Sequence, residues 1–498
     1  MTTGRTEPRP VQLYRENLPP GKIVDFPYGA LDRLDVPIHS ATLWPEGYET
    51  SVDGLSYGTT QDEARIGAFG ELAEGAFAKT EVPKLPRARA SYKDLVSQHG
   101  ERGVLDPIEA CLEAGSAYDH DRILDWVEAR RYPSGETVLV PLDLVASSPG
   151  DLRPEERREA RLVLPVTNGL GAGPSLAHAL SHGILEMVQR DGNSVNYRAV
   201  DQGVVIELDE ISDPETRALL EGLDRDGIEV IPKLAADDYR MTNLYVVGHD
   251  RNPGDAAHPI MLSACGEAAH PDREKALRKA LLEFIAARAR KLFQHGPLEI
   301  VEPVAPPGYL DRFRGKPVEG QEERALEEMV NWLSLSHEGM MDLLRDPVFS
   351  RRSRVAFSGL PRTRFEDDED REKLLDYVVD RMHEAGMEVL YVDLSPDSTE
   401  MKVVHAIVPG LEGETISYGR IGARNLKRLL ERGSDLVRVG KAPERGRRIL
   451  LPERHEETLG PAWIDDEALE RAVGRLYPLY REPDRHLAAQ VAESRGLL

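Results

Sequence analysis

The chain has 498 residues, of which 87 are acidic and 63 are basic, and its formal net charge at neutral pH is −24. With 40% hydrophobic residues it can bury a large core, and its length favours roughly two to four structural units. The negative balance argues against broad electrostatic binding of nucleic acid or an anionic membrane, because both require a basic face. A nucleotide remains compatible, since a metal ion can mediate that contact.

The two cysteines, Cys111 and Cys265, exclude a disulfide framework and a multi-thiolate metal site. The first ten residues, MTTGRTEPRP, lack the apolar stretch of a signal peptide, and no run approaches the roughly 18 apolar residues of a membrane span. We therefore expect a soluble, cytoplasmic protein with neither a membrane nor a nucleic acid as partner.

The first elements are predicted as an irregular arm over residues 1–30, then short β-like pieces and a helix over 61–81. Either Thr59 or Thr60 is suited to cap that helix, because acidic residues follow in its first turn. One face of the helix carries recurring apolar residues: Ala64, Ala68, Leu72 and Phe77. A helical stretch near 108–130 and a strand near 135–141 are predicted next.

Two strand–glycine–helix patterns follow, with helices predicted over about 175–191 and 272–294. A last β-α unit ends in a helix near 423–432. The acidic run 366–372, EDDEDRE, is typical of a solvated loop or helix start. We predict one main domain over 31–440, followed by a C-terminal helical tail over 441–498.

The usual nucleotide motifs are absent from the sequence. There is no P-loop, since Gly440-Lys441 is followed by Ala442. The glycines at 169, 171 and 173 have G-x-G-x-G spacing, which departs from the dinucleotide-binding fingerprint. Any nucleotide site must therefore be built in another way.

Histidine and cysteine give only weak signals. His178 and His182 are one helical turn apart, a spacing that permits zinc, but no third ligand is indicated and packing is favoured. Cys265, in SACGEAAH, is conceivable as a nucleophile, although a small residue in a turn is the favoured interpretation.

Acidic side chains recur on three predicted helices, inside segments rich in Ala, Leu and Gly. Glu71 and Glu74 are three residues apart, so they lie on one face with β-carbons roughly 5–6 Å apart. The other two helices carry comparable groups: Glu186, Gln189 and Arg190 on one, and Lys279, Glu283 and Arg288 on the other. One such pair is typical of a solvated face, but the apolar surroundings favour a pocket. Converging carboxylates suit Mg²⁺, and the glycine-rich loop before the second helix adds N–H donors for an anion.

Five segments in series resemble the YcaO-domain family, whose members use ATP without a P-loop. The segments are SYGTTQDEARIGAFGELAEG, DWVEARRYPSGETVLVPLDLV, TNGLGAGPSLAHALSHGILEMVQRD, ALRKALLEFIAARAR and Pro409-Gly-Leu-Glu412. They occur in the family's order over about residues 25–440. The resemblance implies a mixed α/β fold in which β-sheets are flanked by helices.

The resemblance also implies ATP and Mg²⁺ as cofactors. The residues implied at the ATP and Mg²⁺ site are Glu71, Glu74, Asn168, His178, Glu186, Gln189, Arg190, Lys279, Glu283 and Arg288. Among them Glu71, Glu74 and Glu186 are the implied metal ligands, and Arg190 is the implied phosphate-facing arginine. No catalytic side chain is assigned, because the family's chemistry requires no protein nucleophile.

This sequence departs from the family's pattern at several of these positions. Gln189 and His178 replace glutamates, Lys279 replaces an arginine, and Tyr57 replaces a lysine between glycines. Fewer negative ligands should weaken Mg²⁺ binding. The sequence is therefore similar to that of a divergent member.

The implied chemistry is activation of an amide in modified-peptide (RiPP) biosynthesis. A nucleophile adds to the amide carbon, the oxyanion takes the γ-phosphoryl group of ATP, and phosphate departs. A neighbouring side chain as nucleophile gives an azoline, sulfide gives a thioamide, and an amine gives an amidine. The chain ends in AESRGLL rather than in the Pro-rich tail of many azoline-forming members, which favours the other two products.

The expected partners are a precursor peptide or small amide, a separate ThiF-like or TfuA-like protein, and a second copy in a homodimer. Two alternatives stay open. One is a non-catalytic YcaO-like protein that binds peptide or another YcaO protein. The other is an accessory factor for a ribosomal-protein methylthiotransferase.

Overall fold

The computed structural model describes residues 7–34, 36–48, 50–153, 156, 161–315, 318, 320–365, 370–395, 400–413 and 419–498. Two predicted features fall partly outside these residues. They are the start of the N-terminal arm, residues 1–6, and residues 366–369 of the acidic run.

The described residues form seventeen strands and fourteen α-helices. The strands are β1 Gly21–Pro27, β2 Ile38–Pro45, β3 Val52–Tyr57, β4 Ala88–Ser91, β5 Ile123–Tyr132, β6 Thr137–Pro141, β7 Leu170–Gly173, β8 Val204–Glu207, β9 Ile228–Ala236, β10 Thr242–Asp250, β11 Cys265–His270, β12 Ser353–Ala356, β13 Val389–Asp393, β14 Lys402–Ile407, β15 Val437–Val439, β16 Gly446–Ile449 and β17 Ala462–Asp465. The helices are α1 Arg9–Asn17, α2 Gln61–Glu81, α3 Tyr92–His99, α4 Leu176–Asn193, α5 Pro214–Arg225, α6 Arg273–His295, α7 Leu298–Val301, α8 Glu323–Leu333, α9 His337–Arg345, α10 Arg371–Glu384, α11 Ala423–Glu431, α12 Glu453–Leu459, α13 Asp466–Val473 and α14 Leu487–Ser494.

The strands form four sheets. One has the order β1-β2-β3, a second the order β11-β10-β9-β8-β12, and a third the order β4-β5-β13-β14-β7 with β6 paired to β5. The fourth is the small sheet β15-β17-β16. Neighbouring strands are antiparallel except β8 and β12, which are parallel. The mixed α/β architecture with sheets flanked by helices is confirmed.

Three long helices each pack on a different sheet. Helix α2 lies on β2 and β3, α4 lies on β7 and β14, and α6 lies on β10 and β11. All three begin at a side-chain cap: Thr60, Ser175 and Asp272 each accept a hydrogen bond from a backbone N–H in the first turn. The helix predicted over 61–81 has those bounds in the structure, and Thr60 rather than Thr59 caps it.

The N-terminal arm is not irregular over its described residues. It contains α1, whose Val11 and Tyr14 are buried where the helix packs on α2, and β1, which pairs with β2 along its whole length. These contacts are made with residues further along the chain. The local content of Pro, Gly and charged residues therefore does not predict either element.

Two other predictions differ from the structure. The stretch near 108–130 is not helical throughout, because it ends in β5, whose buried residues include Leu124, Trp126 and Val127 and which pairs with β4 and β6. The tail over 441–498 holds strands β16 and β17 as well as helices. Since both strands pair within the sheet that includes β15, this sheet crosses the predicted boundary at residue 440.

Among the described residues, no helix combines the length and apolar character needed to cross a membrane.

Candidate functional site

The site begins with a feature shared by the pairs β3–α2, β7–α4 and β11–α6. In each pair a glycine of the strand faces the backbone of the helix. A β-carbon on any of these glycines would lie 2.0 Å from a helix carbonyl oxygen: Gly54 against Ala68, Gly171 against Ala179, and Gly266 against Ala280. Because only a hydrogen atom fits there, each helix lies directly against its strand.

The residue after each of these glycines donates its backbone N–H to a glutamate. The donor–acceptor distances are 2.9 Å from Leu55 to Glu71 Oε2, 3.1 Å from Ala172 to Glu74 Oε1, and 3.3 Å from Glu267 to Glu283 Oε2. Glu186 accepts a further backbone hydrogen bond from Gly169. Three strand–helix units thus bring four glutamates into one group, which we call the glutamate cluster: Glu71, Glu74, Glu186 and Glu283.

Many protein atoms surround the carboxylates of the glutamate cluster. Solvent still reaches Glu71 readily and the other three in part. We call this partly open region the cleft. Burial, together with the charges of Glu186 and Glu283, raises the pKa of Glu71 to about 7. Burial and the charge of Glu267 raise the pKa of Glu283 to about 6. The pKa values of Glu74 and Glu186 are also raised, first of all by burial.

Two cations from different helices stand beside the cluster. Arg190 Nη1 lies 3.0 Å from Glu267 Oε1, and its Nη2 lies 3.5 Å from Glu186 Oε1. The Lys279 side chain is exposed, and no hydrogen bond or ion pair joins its ammonium group to a described residue. Its charge lowers the pKa values of three cluster glutamates. Its ammonium group is therefore available to an anion in the cleft.

A third cation is Arg290, which the sequence did not indicate. Its charge acts on both Glu71 and Glu283, and its Nη1 lies 3.2 Å from Glu482 Oε2. Arg288, which was predicted at the site, is fully buried instead. Its Nε lies 2.6 Å from Asp32 Oδ2 and its Nη1 lies 2.8 Å from Asp250 Oδ2.

Helix geometry explains the exchange of Arg288 for Arg290. Each residue advances about 100° around an α-helix, so Arg288 points about 140° away from Glu283, whereas Arg290, seven residues on, points within about 20° of it. Lys279, four residues before Glu283, shares that face as well. The structure therefore places Arg288 on a face away from the cluster, and the seven-residue spacing from Glu283 was the sequence signal for Arg290.

Asn168 directly precedes Gly169, whose backbone N–H binds Glu186. The buried side-chain amide of Asn168 donates to the carbonyl of Gly413, and its backbone carbonyl is hydrogen-bonded to His405 Nε2 at 3.1 Å. It buttresses the segment after Pro409-Gly-Leu-Glu412. These contacts of Asn168 therefore support the backbone beside Glu186 and do not reach a cluster carboxylate directly.

The remaining predicted residues lie on α4. Gln189 is buried, and its backbone carbonyl accepts a hydrogen bond from Asn243 Nδ2 at 3.0 Å. The ring of His178 packs against Gly173, and burial lowers its pKa to about 4, so that it is neutral at physiological pH. His182 is 47% exposed, and its Nε2 lies 3.8 Å from Glu74 Oε1.

Tyr57 and Glu267 also contact the cluster or its arginine, although the sequence did not predict either residue at the site. The hydroxyl of Tyr57 donates to Glu283 Oε2 at 3.2 Å, and burial beside Glu283 raises the pKa of Tyr57 so that it keeps this proton. Glu267, on β11, binds Arg190. Cys265 is the first residue of β11 and does not lie in a turn. Burial raises its pKa to about 11, which disfavours the thiolate that a nucleophile requires.

The donor set fits Mg²⁺ together with a nucleotide. Carboxylates whose pKa values are raised by burial and by neighbouring negative charge are stabilised in their ionised form by a divalent cation. Within the described parts of the chain, no three acidic, histidine or cysteine side chains converge as a metal-binding group. Mg²⁺ is usually held by one or two carboxylates with phosphates and water completing its shell, which matches this arrangement.

Clustered carboxylates beside cations, in a sequence without a P-loop, suit the class of protein that holds a metal-bound polyanion outside the usual nucleotide-binding folds. The sequence model of one family, described as YcaO cyclodehydratase, ATP- and Mg²⁺-binding, matches residues 55–412. The chain belongs to the YcaO family and is an ATP-dependent enzyme of the YcaO kind. The predicted family, fold and cofactors, ATP and Mg²⁺, are thereby confirmed.

Individual proteins share less than 30% of their sequence with this chain, but the solved structures among them share its fold. A heterocyclase in complex with substrate and cofactor has a TM-score of 0.59 and 16% identity, over 86% of this chain and 55% of its own. The chain thus spans little more than half the length of that heterocyclase. YcaO from Methanopyrus kandleri, bound with AMPPCP and Mg²⁺, has a TM-score of 0.54 and 22% identity, over 82% of this chain and 91% of its own. An uncharacterized protein of Methanothermobacter thermautotrophicus is 27% identical over 403 residues, which is 79% of this chain and 90% of that protein.

Proposed function

We propose that this protein uses ATP and Mg²⁺ to activate an amide carbonyl by O-phosphorylation, forming an azoline, thioamide or amidine in a modified peptide or small amide. The observation that carries the proposal is the glutamate cluster. Its raised pKa values and its facing cations favour a site built for a metal-bound polyanion.

The residues would share this work as follows. Glu71, Glu74 and Glu186 would hold Mg²⁺, one or two of them directly and the rest through its bound water, while Arg190 and Lys279 would neutralise and orient the phosphates. When bound, ATP supplies the phosphoryl group that turns the amide oxygen into a leaving group. Catalysis then requires mainly positioning and charge neutralisation, which fixed cations in a cleft provide.

The family's description as a cyclodehydratase favours an azoline as the product. A thioamide and an amidine are the alternative products, formed when sulfide or an amine is the nucleophile. Mass spectrometry of a modified amide separates a thioamide, in which sulfur replaces oxygen, from an azoline, which forms with loss of water. An amidine formed by an amine of the same molecule also loses water, and fragmentation of the product distinguishes it from an azoline.

We also propose the partners of this reaction. The substrate would be a precursor peptide or small amide, delivered with the help of a separate ThiF-like or TfuA-like protein, and the enzyme would act as a homodimer. Copurification of the protein with each candidate, followed by measurement of its molar mass in solution, tests these assignments.

The first experiment measures binding of Mg–ATP by calorimetry. We expect the wild-type protein to bind, and we expect Glu71→Ala and Glu186→Ala each to abolish binding and substrate-dependent phosphate release while leaving the protein folded. The control is Glu327→Ala, which removes a carboxylate from an exposed pair with Arg495. Full activity in both cluster variants would overturn the proposal, and a wild-type protein that binds no ATP would favour a non-catalytic peptide-binding partner.

A further inference from the structure

Glu267 stands directly behind the cleft, yet the proposed chemistry does not use it. It lies on β11, opposite Tyr245 of β10, and its side chain is 8% exposed. A carboxylate so far removed from water requires compensation from hydrogen-bond donors. Its surroundings therefore indicate what it does.

All three side-chain donors to Glu267 come from α4 and the segment after it. Arg190 Nη1 lies 3.0 Å from Oε1, the hydroxyl of Tyr197 lies 3.3 Å from Oε1, and the amide of Asn193 donates to Oε2. The charge-assisted contact with Arg190 is shorter than the 3.5 Å contact between Arg190 and Glu186. Glu267 is thus the nearer of these two carboxylates to the guanidinium.

The main chain of the same residue reaches the other side of the cleft. Its backbone N–H donates to Glu283 Oε2, which also accepts from Tyr57. One residue therefore links the phosphate-facing arginine of α4 with the carboxylate of α6. The neighbouring position on α4, Gln189, carries no charge that could hold Arg190 in place.

We infer that Glu267 is a positioning residue that fixes Arg190 toward the phosphates of bound ATP. Its oxygens are occupied by Arg190, Asn193 and Tyr197, so it acts through the arginine and not as a ligand of the metal. Without its negative charge the guanidinium would be drawn toward Glu186, the other carboxylate within reach, and would compete with Mg²⁺ for it. The inference rests on the proposed function and adds to it a specific residue and a specific contact.

The test compares Mg–ATP affinity, measured by calorimetry, in wild type and Glu267→Gln. We expect affinity to fall about tenfold to a hundredfold, the range for loss of a charged hydrogen bond. The same change made in an Arg190→Gln background should have no further effect, because the arginine it positions is gone. General structural damage would instead lower affinity in both backgrounds.

Glu274→Gln is the matched control. Glu274 is equally buried and accepts hydrogen bonds from Ser212 and Asp213, but these partners lie outside the cleft. The Glu274→Gln substitution should leave Mg–ATP affinity unchanged. If Glu267→Gln fails to fold, Glu267→Asp, which keeps the charge but shortens its reach, should weaken affinity less than Arg190→Gln does.

The two proposals fail in different ways. A wild-type protein that does not bind Mg–ATP overturns the proposed function and this inference together. Unchanged affinity in folded Glu267→Gln or Glu267→Asp, or equal losses with and without Arg190, overturns the inference alone.

Discussion

At the scale of single residues, the cleft glutamates lower the stability of the folded protein when they are ionised. Glu71 has its pKa raised from 4.5 to about 7 by burial and by its acidic neighbours. A group whose folded-state pKa is raised contributes stability that is present below its unfolded pKa and is lost as pH rises through the folded value. For Glu71 this loss occurs between about pH 4.5 and 7.

Glu71→Gln should therefore stabilise the nucleotide-free protein at pH 8 while it abolishes Mg–ATP binding. We expect a gain on the order of 1 kcal/mol, small because solvent reaches the side chain, and no gain at pH 4 where both side chains are neutral. Urea unfolding at several pH values measures this. Glu327→Gln provides a contrast, since Arg495 lowers the pKa of Glu327 and its removal should not stabilise at any pH. An equal stability of wild type and Glu71→Gln at pH 8 would contradict the prediction.

The same pKa values predict how binding depends on pH. Mg²⁺ requires ionised carboxylates, so Mg–ATP should bind more tightly as pH rises through the values of about 6 for Glu283 and about 7 for Glu71. Between pH 5.5 and 8 we expect an increase of at least roughly tenfold, accompanied by proton release, which calorimetry in two buffers detects. Glu283→Gln should flatten the curve, and a pH-independent affinity would be evidence against ionisation of the cluster.

At the scale of elements, the recurring unit is a strand glycine pressed on a helix, followed by an N–H that holds a glutamate. The helices themselves were predictable, because caps and apolar spacing are local: α2 has the predicted bounds, and α4 and α6 lie within two residues of theirs. The contact of each glycine with its helix depends on how the strand and helix pack. Periodicity alone does not contain that information.

Gly171→Ala and Gly266→Ala should destabilise the protein by about 1–3 kcal/mol each, because a β-carbon 2.0 Å from a carbonyl oxygen forces strand and helix apart. Each should also weaken Mg–ATP binding, since the displaced N–H groups hold Glu74 and Glu283. Gly222→Ala is the control: it lies in α5 with open space around it and should stabilise by up to about 1 kcal/mol. Thermal unfolding measures all three, and tolerance of alanine at both cleft glycines would refute the close-contact argument.

At the scale of the whole molecule, Glu482, in the segment between α13 and α14, forms ion pairs with α6 next to the cleft. Glu482 is paired with Arg290, Lys291 and His295 on α6, and the charges of Arg290 and Lys291 hold its pKa well below the usual range. Arg290 in turn acts on the glutamate cluster. Glu482 thus positions a cleft arginine from 192 positions away in sequence.

Glu482→Gln should destabilise the protein by about 3 kcal/mol at neutral pH, because it leaves the buried Lys291 without its counter-charge. Mg–ATP affinity should change as well, since Arg290 is released from its partner. Glu327→Gln, in an exposed pair with Arg495, should cost less than about 1 kcal/mol. Urea unfolding and calorimetry check both effects, and equal stability of the two variants would contradict the role given to Glu482.

The sequence by itself determined the three helices and the glutamates they carry, because each follows from residues within one or two helical turns. Only the tertiary structure decided which side chains complete the cleft. Tyr57 meets Glu283 across 226 positions, and Arg190 meets Glu267 across 77. Strands β1 and β5 exist through pairing with other strands, which local propensity did not reveal. Such contacts depend on how separate elements pack, and a single sequence contains no local signal of that packing.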